Sequence, residues 1–339
     1  MQIALDAMGG DYGSEELIAG ALLAVKQTGL SVSLVGDESL LRKQLDVLTP
    51  DAKSEKLIKI VHSTQVIEMN EHPVDAIRKK KDASIMVAFD LVRRGEADAA
   101  VSAGNSGATL AAATRKLGRL EGISRPGIAS IFPTLKKPVV LMDIGANVDC
   151  RPQHLFQFGV MAAAFSRIND VKNPRVGLLS IGEETGKGNS LIKETYPLLE
   201  KSTLNFIGNV EGRDVFQGEV DVIVCDGFVG NVCLKVSEGL AEAAMQMLRD
   251  EIVKSFRAKI GYLLARNAFK AFKKRVDYAE YGGAPLLGID GIGIICHGNS
   301  SSQAIKNAIL EAAKMARGNI NKDILDSLAA SNNVQNLEM

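Results

Sequence analysis

Short runs of aliphatic and β-branched residues alternate with longer amphipathic stretches along almost the whole chain. The pattern predicts strands near 2–6, 31–36, 57–61, 97–102, 138–143, 174–180, 204–208, 220–225 and 291–296. Between them, apolar residues recur at helical spacing from Glu15 to Gln27, Pro73 to Arg94, Gly107 to Leu117, Gln153 to Ile168 and Leu310 to Arg317. Such alternation implies a mainly parallel sheet with helices on both faces, a three-layer α/β/α sandwich. Near-continuous apolar runs such as Val220 to Cys225 suit strands buried on both sides. No internal repeat or low-complexity linker divides the chain, so residues 1–330 read as one α/β/α unit or two intimate lobes, followed by a frayed tail over 331–339.

One segment departs from this rhythm. From about Val229 to Val276 the chain reads as helix for far longer than a crossover needs. On a helical wheel Ile252, Val253, Phe256, Ile260, Leu263 and Leu264 share one arc. Ala265, Ala268, Phe269, Phe272 and Val276 share a second, rotated arc opposite Arg266, Lys270, Lys273 and Lys274. One straight helix cannot present both stripes to one surface. We therefore expect two consecutive helices with a break between Gly261 and Asn267, forming an amphipathic tip over 250–280. The tip would cover the sheet, seam a dimer, lie on an anionic bilayer or receive an acidic protein.

At 339 residues and 46% hydrophobic the chain has ample material for a large core. Forty basic residues balance forty acidic ones, which gives no reason to expect nucleic-acid binding. The amino terminus lacks a basic lead and no stretch has the length of a membrane span, so a cytosolic location is expected. Cys150, Cys225, Cys233 and Cys296 form no Cys-x-x-Cys pair and read as free thiols of a reducing compartment.

Candidate chemistry lies where predicted strands hand over to helices, the edge at which open α/β sheets bind ligands. The clusters are Asp6-Ala7-Met8-Gly9-Gly10-Asp11, Ser102-Ala103-Gly104-Asn105-Ser106-Gly107, Asp143-Ile144-Gly145-Ala146-Asn147 and Asp226-Gly227-Phe228-Val229-Gly230-Asn231. The run from Ser102 to Gly107 is the strongest anion signal, because glycines admit close backbone approach and a helix start offers unpaired N–H groups. Gly182 to Ser190 resembles a P-loop only superficially: three residues separate Gly182 from Gly186, and Gly188 follows Lys187 where a hydroxyl should hold magnesium. Neither glycine cluster has dinucleotide spacing. Within Arg78-Lys79-Lys80-Lys81, Arg78 and Lys81 are the candidates to neutralise a phosphate. Asp143, Asn147 and Asp149 lack further ligands nearby, so hydrogen bonding is expected of them, and no metal. His62, His72 and His154 make no catalytic constellation, whereas His297 begins another helix entrance.

Taken together, these clusters, with Asn209-Val210-Glu211-Gly212-Arg213-Asp214, resemble the bacterial phosphate acyltransferases of phospholipid synthesis over nearly the whole chain. The resemblance implies a fold like that of phosphate acetyltransferases and isopropylmalate-type dehydrogenases, a homodimer, and no cofactor. It implies transfer of a long acyl chain from acyl-acyl-carrier-protein to inorganic phosphate. The acyl phosphate would pass to an acyl phosphate:glycerol-3-phosphate acyltransferase at the inner face of the membrane. Phosphate is already an anionic nucleophile, and a thiolate of pKa ~8.5 leaves readily, so no triad is needed. On this reading Lys81 and the loop bearing Ser102, Gly104, Asn105, Ser106 and Gly107 grip phosphate. Asp6, Gly9, Gly10, Asp11, Arg78, Asp143, Asn147, Asp226 and Asn231 orient substrates, and Lys235 or His297 supports the oxyanion or departing sulfur. The tip residues Phe256, Ile260, Leu263, Leu264, Phe269, Lys270, Phe272, Lys273 and Lys274 would contact membrane or carrier protein. The rival readings are a coenzyme A-dependent phosphate acetyltransferase, a membrane-bound scaffold and, by fold alone, a dehydrogenase.

Overall fold

A computed structural model describes the backbone of residues 1–276 and 282–337, and side chains of residues 1–272 and 282–334. Eleven strands form one sheet: β1 (Gln2–Asp6), β2 (Ser31–Gly36), β3 (Ile58–His62), β4 (Ala99–Ser102), β5 (Gly127–Phe132), β6 (Val139–Met142), β7 (Arg175–Leu179), β8 (Asn205–Val210), β9 (Val222–Val224), β10 (Ala284–Leu287) and β11 (Gly293–Ile295). Their spatial order is β3-β2-β1-β4-β11-β10-β5-β6-β9-β7-β8. The nine expected strands are present. The two that periodicity missed are β5, which at six residues is as long as β2 and β8, and β10, where Pro285 argues against a strand on sequence grounds.

Those two strands change the geometry of the whole molecule. β10 runs antiparallel to both β11 and β5, and β5 runs antiparallel to β6. Strands β1, β2, β3, β4 and β11 therefore point one way, and β6, β7, β8 and β9 point the other. The expectation that all strand-end clusters share one edge is corrected here. Residues 6–11, 102–107 and 297–301 lie on one edge, called upper below; residues 143–147 and 226–231 lie on the lower edge.

Helices cover both faces. They are α1 (Ser14–Thr28), α2 (Glu38–Val47), α3 (Ala52–Glu55), α4 (Pro73–Lys79), α5 (Ser84–Arg93), α6 (Ser106–Leu117), α7 (Pro152–Ile168), α8 (Ser190–Glu200), α9 (Gly227–Lys254), α10 (Phe256–Leu264), α11 (Arg266–Val276), α12 (Ser302–Arg317) and α13 (Ile320–Leu337). One core joins α1, α7, α12 and α13 to the sheet through Ile18, Phe156, Phe165, Ile309 and Ile324. The other joins α4, α5 and α6 to the opposite face through Ile77, Phe89 and Ala112. α7 is apolar on all sides and buried from His154 to Ser166, as a helix enclosed by the sheet, α8 and α13 must be. The expected single helix from Pro73 to Arg94 is two, because Lys80 to Ala83 turn between α4 and α5.

The carboxy-terminal end also differs from expectation. α13 continues to Leu337 because it packs on α7: Arg167 holds Asp323 at 2.9 Å, and buried Ser331 hydrogen-bonds Thr203 at 2.8 Å. The frayed segment expected over 331–339 is thus helical through 337.

α9 is the longest helix, and only its first turn is buried, at Gly227 and Gly230. A break at Ala265 separates α10 from α11 inside the expected window, and a second break at Ser255, which caps α10, interrupts the first apolar arc. Phe256, Ile260, Leu263, Leu264 and Phe272 are exposed on the tip, while Phe269 is half-buried against Tyr262. Lys270 is exposed, whereas the side chains of Lys273 and Lys274 and the last residues of the expected tip, 277–280, lie outside the described residues.

The first turn of α9 meets the lower-edge turn so closely that a Cβ on Gly230 would stand 1.9 Å from the Asp143 carbonyl oxygen. Gly239, on the same helix, has nothing within 4 Å. Gly230→Ala is expected to lower the thermal midpoint by several degrees, as overpacking of about 1–3 kcal/mol does. Gly239→Ala should be neutral or stabilising by up to ~1 kcal/mol; equal melting curves for the two variants would show that this contact is not as tight as described.

Candidate active site

The upper edge is assembled from three turns. β1 and β4 are adjacent and parallel, with Asp6 opposite Ser102. Ser102 Oγ donates to Asp6 Oδ2 at 2.7 Å and accepts from the Gly104 amide at 3.1 Å. Burial pushes the Asp6 carboxyl upward, opposed by hydrogen bonds from Ser84, Ser102 and the Met8 and Gly9 amides. Gly9 lies on Gly104, where a Cβ would stand 2.6 Å from the Gly104 nitrogen. The Asp11 amide donates to the Gly298 carbonyl at 2.7 Å, and the Cys296 amide donates to the Ser102 carbonyl at 2.7 Å. The turns after β1, β4 and β11 are thereby locked together.

Asn105 caps α6 and is occupied at both ends. Its Oδ1 accepts from the Ala108 amide at 3.0 Å, and its Nδ2 donates to the Met69 and Glu71 carbonyls at 3.0 and 3.2 Å. Of the basic run, Lys80 is the residue that turns inward, bonding the Val66 carbonyl at 2.7 Å and pairing with Glu71. Asn105 and Lys80 thus draw the 66–71 segment over a cavity lined by Asp6, Ser84, Ser102 and Thr109. Its volume is about 10 Å³, room for a single water and not for a phosphate. The part of this edge open to solvent is the first turn of α6, where Ser106 and Gly107 are exposed and their N–H groups precede the helical ladder.

A second group approaches from α9. Rising from Gly227, the helix has climbed roughly 12 Å by Lys235, about the height of a four-residue strand. Lys235 Nζ there lies 3.3 Å from His297 Nε2 and 2.8 Å from Glu238 Oε2. The other Glu238 oxygen is buried without a partner and lies 3.9 Å from His297 Nε2. Glu238 was not among the candidates from sequence. Its place three residues after Lys235 on a helix is the signal available there.

The lower-edge residues form a structural clamp. Fully buried Asp143 accepts from the amides of Ile128 and Ala146 at 3.1 Å and of Asn147 at 2.7 Å, and from Asn147 Nδ2 at 2.9 Å. Burial still outweighs these bonds and raises its pKa. Asn147 Nδ2 also reaches the Pro126 carbonyl, and the Asn147 carbonyl accepts from the Gly227 amide at 2.7 Å. Asp226 caps α9 by accepting from the Val229 amide at 2.9 Å. Asn231 lies beside Gly145. Burial drives the Cys225 thiol well above its ordinary range, consistent with an inert core thiol. Four of the expected site residues, Asp143, Asn147, Asp226 and Asn231, therefore sit on the edge opposite the α6 amides. Arg78 and Lys81 are exposed, and Lys81 lines a groove on the outer surface of α5 and α6 instead of the cavity.

Comparison with known proteins decides the family. The profile of the family described as "Fatty acid synthesis protein" matches residues 1–323. The phosphate acyltransferase of Pelotomaculum thermopropionicum is 54% identical over 329 residues, 97% of this chain and 95% of the relative. The chain belongs to the phosphate acyltransferase family. The phosphate acyltransferase of Pelobacter propionicus is 51% identical over 339 residues, covering 100% of this chain and 97% of its own length. This family member is accordingly an acyltransferase. Two solved phosphotransacetylases share its fold at 18% identity: one from Streptococcus pyogenes, with a TM-score of 0.64 over 94% of each chain, and EutD from Staphylococcus aureus, with a TM-score of 0.62 over 93% of this chain and 94% of that one.

The raised Asp6 pKa has a definite sign in stability. A carboxyl whose folded pKa exceeds the unfolded value of ~3.9 contributes stability that is complete below that value and is lost as pH rises through the folded pKa. Asp6→Asn removes this loss. The melting temperature of the variant relative to wild type should therefore increase from acid to neutral pH, and a pH-independent difference would contradict the inferred burial effect.

Proposed function

We propose that this acyltransferase moves a long fatty acyl chain from the thioester of acyl-acyl-carrier-protein to inorganic phosphate. The observation carrying this reading is the pairing on one edge of open α6 amides with the Lys235–His297 pair. Phosphate held by the amides of Ser106 and Gly107 and the Ser106 hydroxyl, at the positive end of α6, would present one oxygen to the thioester carbonyl. The C–O bond forms, charge collects on the carbonyl oxygen, the C–S bond breaks, and the sulfur leaves as thiolate. Lys235, held by Glu238, is positioned to stabilise the oxyanion or the thiolate, with His297 beside it. Asp6, Gly9, Gly10, Asp11, Ser102, Gly104 and Asn105 build the wall that holds α6 in place. A phosphate nucleophile needs no general base, which fits a site whose buried carboxylates are occupied by hydrogen bonds.

The test is to incubate the protein with phosphate and palmitoyl-carrier protein and trap acyl phosphate with hydroxylamine. Wild type should yield hydroxamate; Lys235→Ala should lower turnover about 100-fold at an unchanged melting temperature. Undiminished turnover would remove Lys235 from the chemistry, and turnover of acetyl-coenzyme A in preference to the carrier substrate would favour the phosphate acetyltransferase alternative.

We also assign the exposed apolar surfaces of α9 to α11. Phe228, Val232, Val236 and Leu240 recur every four residues on α9 and are exposed, a stripe that a second copy of this chain would cover. The tip, with Phe256, Leu263 and Leu264 exposed, would rest on the membrane into which the product partitions, where an acyl phosphate:glycerol-3-phosphate acyltransferase would consume it. No described helix is long and apolar enough to cross a bilayer. Val236→Glu should convert a dimer to monomers in light scattering, and Leu263→Glu with Leu264→Glu should abolish flotation with anionic liposomes. Retention of either property would overturn the corresponding assignment.

A further inference from the structure

The groove between α5 and α6 on the outer surface is lined by Lys81, Met86, Arg93, Arg115 and Lys116 and has a volume of about 260 Å³. Four of its five lining residues are cations in a chain whose charges balance overall. One carboxylate, Asp90, answers them: it pairs with Arg93 at 2.8 Å and with Lys116 at 3.1 Å. Arg115 and Lys81 are exposed, and neither has an ion pair among the described residues.

Helix electrostatics explains part of this cluster. Arg93 ends α5, and Arg115 and Lys116 end α6, where cations offset the negative end of the helix dipole. Lys81 has no such reason to be there, because it precedes the amino-terminal end of α5, where the dipole disfavours positive charge. The same dipoles make the groove a poor trap for a small free anion, which would face the carbonyl ends of two helices. Exposed cations spread over two helix ends and a turn suit instead a partner that brings several carboxylates on a surface of its own.

The position fits a partner that delivers a thioester. α5 and α6 line the cavity at their amino-terminal ends, through Ser84 and Asn105, whereas the groove runs along the outside of both helices from Lys81 and Met86 to their far ends at Arg93 and Arg115. The twelve residues of α6 put the far end of the groove roughly 18 Å from the open α6 amides. A protein body seated on the groove would need a flexible prosthetic arm to reach the open α6 amides.

We propose that the Lys81–Arg115 groove is the docking surface for the acidic carrier protein that presents the acyl thioester. This assignment rests on the acyl-carrier reading of the site. Its test separates docking from chemistry: binding of fluorescently labelled holo-carrier protein is measured by anisotropy, with no acyl group present. The variants are Arg115→Glu, Arg115→Ala and the double variant Lys81→Glu with Arg115→Glu, each checked by melting temperature. Charge reversal should weaken carrier binding about fivefold or more, with Arg115→Ala intermediate. KM for acyl-carrier substrate should rise in parallel, while kcat and turnover of a protein-free acyl-pantetheine thioester stay unchanged. Added salt should weaken wild-type binding and shrink the difference between variants. Unchanged carrier binding by correctly melting variants would overturn the groove assignment. So would an equal loss on both thioesters, or loss of binding to phosphatidylglycerol vesicles with carrier binding intact, which would make it a membrane contact. If wild type binds carrier but forms no hydroxamate, the acyltransfer reading fails while the docking surface stands.

Discussion

The reversal of strand direction through β10 and β5 is the constraint on which the rest of the molecule depends. Two antiparallel strands split an otherwise parallel sheet into halves whose carboxyl ends lie on opposite edges. A helix leaving the lower edge must then climb the sheet before it reaches the turns of the upper one. α9 does so, starting in the Asp143–Asn147 clamp and arriving at His297 two turns later. The carbonyl of Asp143 leaves no space for a side chain at Gly230, so the clamp sets where the helix begins and therefore where Lys235 ends up.

Both edges use a buried carboxylate to hold backbone. Asp143 gathers three amides and an asparagine, and Asp6 gathers the turn after its own strand together with Ser102. Burial raises both pKa values, yet each carboxylate is surrounded by donors, which is what lets a polar group persist in the core. Such carboxylates rigidify turns and are poorly placed to travel as bases. Acyl transfer to phosphate tolerates this, since positioning and electrostatic stabilisation supply most of the rate.

Function is distributed along helices more than strands. α6 offers free amides at one end and cations at the other, so one rigid element relates the upper-edge turns to a basic groove. α9 links the lower clamp to Lys235 and then leaves the body, carrying α10 and α11, which touch little beyond α9 and each other.

Periodicity alone specified the α/β/α class, nine of the strands and the break near Ala265, because local pattern is a property of contiguous residues. The same chain could not disclose which edge each turn occupies. That follows from β5 and β10: Pro285 hides β10, and the pairing that joins the two strands links residues far apart in sequence. The division of labour in Arg78-Lys79-Lys80-Lys81 was equally hidden, since four like residues differ only in the direction each side chain takes in the fold: Lys80 turns in to Glu71, and Lys81 lines the outer groove. Asn105 looked like a ligand donor because its amide suits phosphate, and tertiary structure assigned that amide to the 66–71 segment instead. Residue types and spacing state what a group is able to bind; long-range strand pairing and burial decide which of those bonds are already taken.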